Sequence, residues 1–131
     1  MPAAPDSADL VVEKFELEDA NVFCARLIGI NRVKDSLGNA ERLSQRVVRE
    51  GRDAIILDYS QCKLEHKLEE FVKVGEVFAR HMPVHVRMSY VYGPSNMMHA
   101  VYMTKMLHKA GFKARAFDNW GDAERFARGN D

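Results

Sequence analysis

A continuously apolar run near the middle of the chain limits the folds that are open to it. Residues 54–57 read Ala-Ile-Ile-Leu, without a polar residue among them. Such a run is typical of a strand that is covered on both faces, as strands in parallel sheets are. Polar residues follow, and then a long amphipathic segment over residues 64–82. Residues 52–82 therefore predict a buried central strand, a short crossover loop near 58–66 and the longest helix.

The apolar residues of this predicted helix recur at intervals of three and four, as on one face of a helix. They are Leu64, Leu68, Phe71, Gly75, Phe78 and Met82. Gly75 lies within the stripe, and a glycine there lets a helix approach its neighbour closely. We therefore predict that this helix packs tightly on the sheet at Gly75.

The rest of the chain alternates between the periods of strands and helices. Strand-forming residues at 10–17 and 22–30 flank a polar turn and predict an antiparallel hairpin. A helix follows, which the weakening effect of Gly38 predicts to begin near Asn39. A strand from Val84, a helix over 97–110, a strand over 112–117 and a short helix capped by Asp118 or Asn119 complete the order. This order predicts an α/β fold with a mixed, mostly parallel sheet of about five strands, an N-terminal hairpin and four helices.

Composition indicates a single globular domain without a nucleic-acid partner. The chain has 131 residues, with 19 Lys and Arg balanced by 19 Asp and Glu. Proteins that bind nucleic acid usually carry an excess of positive charge. We predict a polar tail over residues 1–9 and a domain over 10–128. No secretory signal or membrane-spanning run is recognisable, and Cys24 and Cys62 are too few for a disulfide scaffold, so a cytoplasmic location is expected.

Several short motifs lie where one known fold has them. Residues 27–29 (Leu-Ile-Gly) end the second predicted strand, and residues 57–60 (Leu-Asp-Tyr-Ser) end the central one. Gly-Pro-Ser at 93–95 precedes the third helix, and Gly-Phe at 111–112 opens the final strand. Over about residues 10–128 this pattern resembles the STAS family, named for sulphate transporters and bacterial anti-sigma-factor antagonists. The resemblance implies a regulatory module that binds a protein partner, without enzymatic activity.

One departure from the family pattern concerns its phosphorylation site. Family members that work as phospho-switches carry Asp-Ser-Ser-Gly, or close to it, at the start of the second helix. Residues 65–68 of this chain read Glu-His-Lys-Leu. The SpoIIAA-like branch, whose members often lack the serine, is the nearer match. The resemblance therefore implies a binding module that lacks the usual phosphorylatable serine.

Candidate site residues cluster after the central strand. Ligands favour the carboxyl ends of parallel strands, where Asp58 and Ser60 are expected. Ser60 is either a modification or hydrogen-bonding site or a turn residue that closes the loop with Asp58. Cys62 and His66 are four residues apart, but a zinc site usually needs four ligands, so no metal is predicted.

The third helix offers a second group of candidates. Methionines and other apolar residues cover too wide an arc for one buried stripe, and methionine is common on adaptable binding surfaces. Either this helix is buried deeply, or a homodimer, a lipid or another apolar small molecule covers it. Free backbone N–H groups at its start can receive a small anion. The candidates here are Tyr92, Ser95, Asn96, Met98 and Tyr102.

The sequence gives little support to the hypothesis that the protein is an enzyme. A response regulator needs an acidic cluster after its first parallel strand, where this chain has Asn31 and Arg32. Residues 93–96 lack the glycine spacing and the lysine of a phosphate-binding loop. No catalytic residue and no cofactor is therefore predicted. The main hypothesis is a regulatory protein-interaction module, and the alternative is a small-molecule or lipid carrier.

Overall fold

The computed structural model describes residues 10–130, which form a five-stranded sheet and four helices. The elements, in chain order, are β1 (Val11–Glu16), β2 (Val22–Asn31), α1 (Val33–Glu50), β3 (Ala54–Leu64), α2 (Leu68–His81), β4 (Arg87–Val91), α3 (Met97–Lys109), β5 (Ala114–Phe117) and α4 (Trp120–Ala127). The predicted α/β class, element order and number of strands are confirmed. The predicted tail over residues 1–9 lies outside the described residues.

The five strands lie side by side in chain order, which puts β3 at the centre of the sheet. β1 and β2 form the predicted antiparallel hairpin, and all the other neighbours are parallel. In the middle of the sheet Ile56 lies between Cys24 of β2 and Ser89 of β4. Residues 54–57 are fully buried, because helices cover both faces of β3.

The helices divide unequally between the two faces. α1, α2 and α3 cover one face and build the larger core, in which Leu43, Phe71 and Met103 pack on Leu57 and its neighbours. α4 covers the other face, where Ala123 packs against Val22, Cys24 and Ile56. Because successive side chains of a strand point to opposite faces of the sheet, alternate residues of the same strand contribute to the two cores.

The central strand is longer than predicted. β3 continues to Leu64 and pairs with the end of β2, so the loop expected near residues 58–66 is wrong, and only residues 65–67 connect β3 to α2. The polar residues Gln61 and Lys63 face solvent while Cys62 between them is buried, which is the alternation of a half-covered strand. A bulge precedes this segment: Arg26 lies opposite Asp58, but Ile28 lies opposite Gln61. The extra residue in β3 breaks the two-residue alternation that prediction relies on.

Four other elements begin at positions that differ from the predictions. α1 begins at Val33 rather than near Asn39, because Ser36 and Ala40 are both buried on its inner face and the helix runs through Gly38. α2 begins at Leu68, because Leu64 belongs to β3, so among the described helices the 18-residue α1 is the longest and not the 14-residue α2. β4 and β5 begin at Arg87 and Ala114, after turns that contain the first residues of the predicted strands.

Gly75 faces a helix and not the sheet, which corrects the predicted packing. A Cβ atom at Gly75 would lie 2.4 Å from the Sδ atom of Met103 and 2.5 Å from the Cε atom of Met106. Both methionines belong to α3. The bare backbone at Gly75 therefore allows α2 and α3 to pack closely, and methionine side chains fill the space that a side chain would take.

We predict that Gly75→Leu lowers the free energy of unfolding by about 1–3 kcal/mol, because the new side chain displaces Met103 and Met106 from the interface between α2 and α3. Chemical denaturation monitored by circular dichroism measures the change. Gly38→Leu is the matched control. At Gly38 a Cβ atom meets only the guanidinium of Arg42, at 3.1 Å, and that group can move into solvent.

Met103→Ala in the Gly75→Leu background makes room for the added side chain and should restore part of the lost stability. Equal losses of stability for Gly75→Leu and Gly38→Leu would contradict this assignment of Gly75 to the helix interface.

Candidate functional site

Asn96 joins the loop before α3 to the bulged part of β3. Its side-chain Nδ2 donates to the carbonyl oxygens of Tyr59, at 3.1 Å, and Cys62, at 3.0 Å. Its Oδ1 accepts from the backbone N–H of Gly93 at 2.8 Å. Asn96 is 3% exposed, so its amide satisfies three backbone groups in a setting without solvent. Beyond Asp58, β3 is bulged and β4 no longer pairs with it, so these carbonyl groups lie outside the β3–β4 ladder and Asn96 supplies their partners.

The carboxylate of Asp58 holds the same part of β3 through hydrogen bonds of its own. Its Oδ1 accepts from the backbone N–H of Ser60 at 2.9 Å and from the Ser60 hydroxyl at 2.6 Å. Its Oδ2 accepts from Nε of Arg26 at 3.0 Å. The Arg26 guanidinium also lies over the rings of Phe15 and Trp120. A buried carboxylate needs such compensation, and here Arg26 supplies the opposite charge while Ser60 supplies hydrogen bonds.

His66 is buried in the short connection between β3 and α2. Its Nε2 lies 2.8 Å from Oγ of Ser36, and that hydroxyl donates to Oδ1 of Asn31 at 2.7 Å. A serine hydroxyl has one proton. Since Ser36 gives its proton to Asn31, it accepts from His66, which places the histidine proton on Nε2. The Nδ1 atom of His66 then carries a lone pair without a partner among residues 10–130.

His99 of α3 holds the same connection from the other side. Its Nε2 lies 2.7 Å from the carbonyl oxygen of His66. Both imidazoles contact the ring of Phe71 edge-on, with centroid distances of 5.4 and 5.6 Å. Burial lowers the pKa of His66 below its ordinary value, and the nearby His99 lowers it further. The connection is therefore built around a histidine that is neutral in the folded protein.

The two thiols are buried and protonated. Burial raises the pKa of Cys62 to about 12 and that of Cys24 to about 12. A thiolate is the reactive form of cysteine, so neither side chain is activated as a nucleophile. Among residues 10–130 no three His, Cys, Asp or Glu side chains come together in a way that can hold a metal ion.

A stacked pair of tyrosines, one on β3 and one on β4, lies next to these residues. Tyr59 and Tyr90 stack with centroids 5.8 Å apart and ring planes 7° apart. Burial raises the pKa of both phenols. The hydroxyl of Tyr90 is buried and lacks a partner among the described residues. The pair packs β3 against β4 just before β4 ends at Val91, while β3 continues to Leu64.

The remaining candidates lie at the surface or at its edge. Tyr92 is half-buried and its backbone N–H pairs with the carbonyl of Phe117 at 2.9 Å, while Ser95 is exposed. On α3, Met98 and Tyr102 are 47% and 42% exposed, and Met97 is exposed as well. The helix is thus divided: Ala100, Met103, Thr104 and Leu107 are buried, and a smaller apolar group faces outward.

A groove between α2 and α3 continues from this outward group. Its volume is about 620 Å³ and its lining residues are Val72, Tyr102, Lys105, Met106, His108 and Lys109. Three of these residues, Val72, Tyr102 and Met106, are largely apolar, and two are lysines. Grooves of this size are large enough for a small ligand or for part of a peptide.

The structure brings five of the nine candidates together. Asp58, Ser60, Cys62, His66 and Asn96 lie on or against the part of β3 from Asp58 onward and its connection to α2. Ser60 bonds to Asp58, Asn96 bonds to the Cys62 carbonyl, and His99 lies within hydrogen-bond distance of the His66 carbonyl. Tyr92 and Ser95 flank this region, and Met98 and Tyr102 belong to the separate surface of α3.

Sequence reasoning missed Asn31, Ser36 and His99, which complete the site. Asn31 is completely buried and Ser36 is 3% exposed. Asn31 and Ser36 are polar residues at positions that strand or helix periodicity assigns to the buried face. A polar residue at a buried position is the sequence signal by which they could have been found. They meet His66 because β3 extends to Leu64, and this extension was not predicted.

Comparison with solved structures shows the fold. The chain is similar to the crystal structure of an anti-sigma factor antagonist from Mycobacterium paratuberculosis, with a TM-score of 0.67 and 17% sequence identity over 97% of this chain and 99% of that chain. No family model matches the chain, and no curated protein matches it. The chain therefore has the STAS fold of the anti-sigma-factor antagonists, as the sequence motifs predicted.

We predict that Asn96→Ala lowers the free energy of unfolding by about 2–4 kcal/mol, because it leaves two buried carbonyls and one buried N–H without partners. Thermal and urea denaturation measure the loss. Ser95→Ala is the control at the neighbouring exposed position and should leave stability unchanged. A stability of Asn96→Ala equal to that of Ser95→Ala would show that other groups satisfy these backbone atoms.

We also predict that His66 makes stability depend on pH. In the unfolded chain histidine takes up a proton near pH 6.5, whereas the folded protein resists this because its pKa is lower. The unfolded state therefore binds more protons, and the free energy of unfolding falls as the pH drops below about 6.5, by at most about 1.4 kcal/mol per pH unit. Urea denaturation at a series of pH values measures the slope.

His66→Gln is the matched variant, since glutamine can still donate to Ser36 but does not titrate. We expect this variant to lose the part of the slope that is due to His66, whatever its absolute stability. The same slope in the variant and in the original protein would mean that other groups cause it.

Proposed function

We propose that this protein is a regulatory protein-interaction module without enzymatic activity and without a serine switch at the start of α2. The observation that supports the proposal is the shared fold with an anti-sigma factor antagonist, combined with hydrogen bonds that hold the Ser60 hydroxyl to Asp58 and the Nε2 atom of His66 to Ser36. A surface held rigid in this way is suited to recognition, because little conformational freedom is lost on binding.

The proposed contact surface, here called the junction surface, consists of exposed residues around the end of β3 and the start of α2. Its members are Ser60, Gln61, Lys63, Glu65, Lys67 and Glu69. Two lysines and two glutamates alternate along it, and Glu65 forms an exposed ion pair with Arg32 at 3.4 Å. Mixed charge of this kind favours selectivity between partners more than raw affinity.

The residues at the family's phosphorylation site argue against release of a partner by phosphorylation at that place. Lys67 caps α2 with an extended backbone, and its N–H donates to Oε1 of Glu70 at 2.8 Å. His66 is buried beside it. A negatively charged phosphate is the usual means of releasing a partner at this place in the resembled family, and this chain has no hydroxyl there to carry one. We infer that partner binding is controlled by other means.

A second candidate function is a carrier of small apolar molecules. The groove between α2 and α3, with Val72, Tyr102 and Met106 in its lining, is the observation that favours it. Pairing of the exposed Met97, Met98 and Tyr102 in a homodimer would cover the same area. The two buried cysteines, which need no oxidising conditions, fit a cytoplasmic setting for either function.

The test places a photo-crosslinking amino acid at Lys67 in the protein expressed in its own cells. We expect one discrete covalent adduct with a protein partner, because Lys67 is an exposed member of the junction surface. The matched control carries the same amino acid at Arg125, an exposed position on α4 at the other face of the sheet. The purified partner should then bind the Lys67→Glu variant more weakly, with the fold unchanged by circular dichroism.

Native mass spectrometry of the gently purified protein separates the alternatives. A tightly bound small molecule that is lost in Tyr102→Ala, without any adduct at position 67, would favour the carrier and contradict the interaction module. A dimer that dissociates in Met98→Glu would assign the exposed part of α3 to self-association.

A further inference from the structure

A strongly basic groove runs between β1 and α1, on the opposite side of the molecule's helical layer from α3. It has a volume of about 280 Å³. Val12 and Lys14 contribute from β1, and Asn39, Arg42, Arg46 and Arg49 from α1. No acidic residue lines it, although the chain as a whole has no net charge. Positive charge is therefore concentrated at this groove.

The cations of the basic groove are largely without acidic partners. Arg46 pairs with Glu50 at 2.9 Å, and Arg42 donates only to the side-chain oxygen of Asn39, at 2.7 Å. Among residues 10–130, Lys14, Arg42 and Arg49 form no ion pair. Like charges at this density repel one another, so a negatively charged ligand gains energy by relieving that repulsion as well as by direct attraction.

β1 beside the basic groove has an unpaired edge. The strand pairs with β2 on one side and, among the described residues, has no strand on the other. Four of its six residues are exposed. Alternate N–H and C=O groups along such an edge are free to pair with a further strand, which is how extended peptides bind to sheet edges.

The basic groove and the free edge of β1 lie next to each other. Val12 and Lys14 point to the α1 side of the sheet, opposite Leu27 and Ala25. A strand added to β1 projects every second side chain to that same side. Arg42, Arg46 and Arg49, spaced by four and three residues, form one stripe along α1 that spans roughly 10 Å, about the length of three strand residues. Acidic side chains at alternate positions of an added strand therefore meet the arginine stripe.

We propose that the free edge of β1 and the basic groove bind an extended acidic segment of a partner protein by strand addition. The backbone of the segment pairs with β1, and its carboxylates lie against Arg42, Arg49 and Lys14. This site is separate from the junction surface and does not depend on the function assigned to that surface.

Two other occupants fit the basic groove less well than an acidic segment of a partner protein. A second copy of the chain paired through β1 brings its own Lys14 and arginine stripe towards the same cations, which opposes self-association. A nucleic acid finds positive charge but no aromatic residue in the lining on which its bases can stack.

The test measures binding of a fluorescent synthetic peptide of alternating valine and glutamate, about as long as β1, to the purified full-length protein by fluorescence anisotropy. We expect saturable binding that Arg42→Glu/Arg49→Glu weakens about tenfold or more. Arg125→Glu on α4 is the matched control for a change of charge at an exposed arginine elsewhere. Circular dichroism checks that all variants remain folded.

Two further ligands keep the mode of binding falsifiable. A peptide with the same charge, but with proline in place of the central valine, cannot form the strand ladder and should bind much more weakly. Equal binding of the two peptides would overturn strand addition, and failure of both peptides to bind would overturn the site. Tighter binding of a single-stranded oligonucleotide of equal charge would assign the groove to nucleic acid and contradict the proposal.

Discussion

The bulge in β3 after Asp58 is the constraint on which the site depends. An extra residue in a central strand leaves backbone groups without ladder partners in the interior of the protein, where each costs free energy. Asp58 and Asn96 remove that cost by bonding to Ser60, Gly93 and the carbonyls of Tyr59 and Cys62. Through Asn96 the bulge also determines where the loop before α3 lies.

The same arrangement explains why the polar side chains at this end of the molecule are held in structural hydrogen bonds. Ser60, Ser36 and His66 have the side chains of a catalytic site, yet each is engaged by a structural partner. Their hydrogen bonds fix the connection between β3 and α2, and that connection presents charged residues to solvent. Recognition through a rigid surface is the function that we propose for such an arrangement.

The two proposed binding regions differ in their physical character. The junction surface has mixed charge and depends on side chains that surround a fixed connection. The basic groove has one sign of charge and a free strand edge, so it selects for an extended conformation and for acidic residues. Because β1 and the end of β3 are separated by β2, a partner with two contact segments can use both regions at once, which would raise its overall affinity.

The sequence by itself determined the class and order of the elements. Residues 54–57 identified the central strand because four consecutive apolar residues need cover on both faces. Asp118 or Asn119 was predicted to cap the last helix, and the bond from the N–H of Asp122 shows that the cap is Asn119. The tertiary structure alone decided that β3 extends to Leu64, that Gly75 faces α3, and that Asn31, Ser36 and His66 meet. Periodicity reports which face of an element is buried. It does not report which neighbour covers that face, because the register of strands and the contacts between helices depend on residues far apart in the chain.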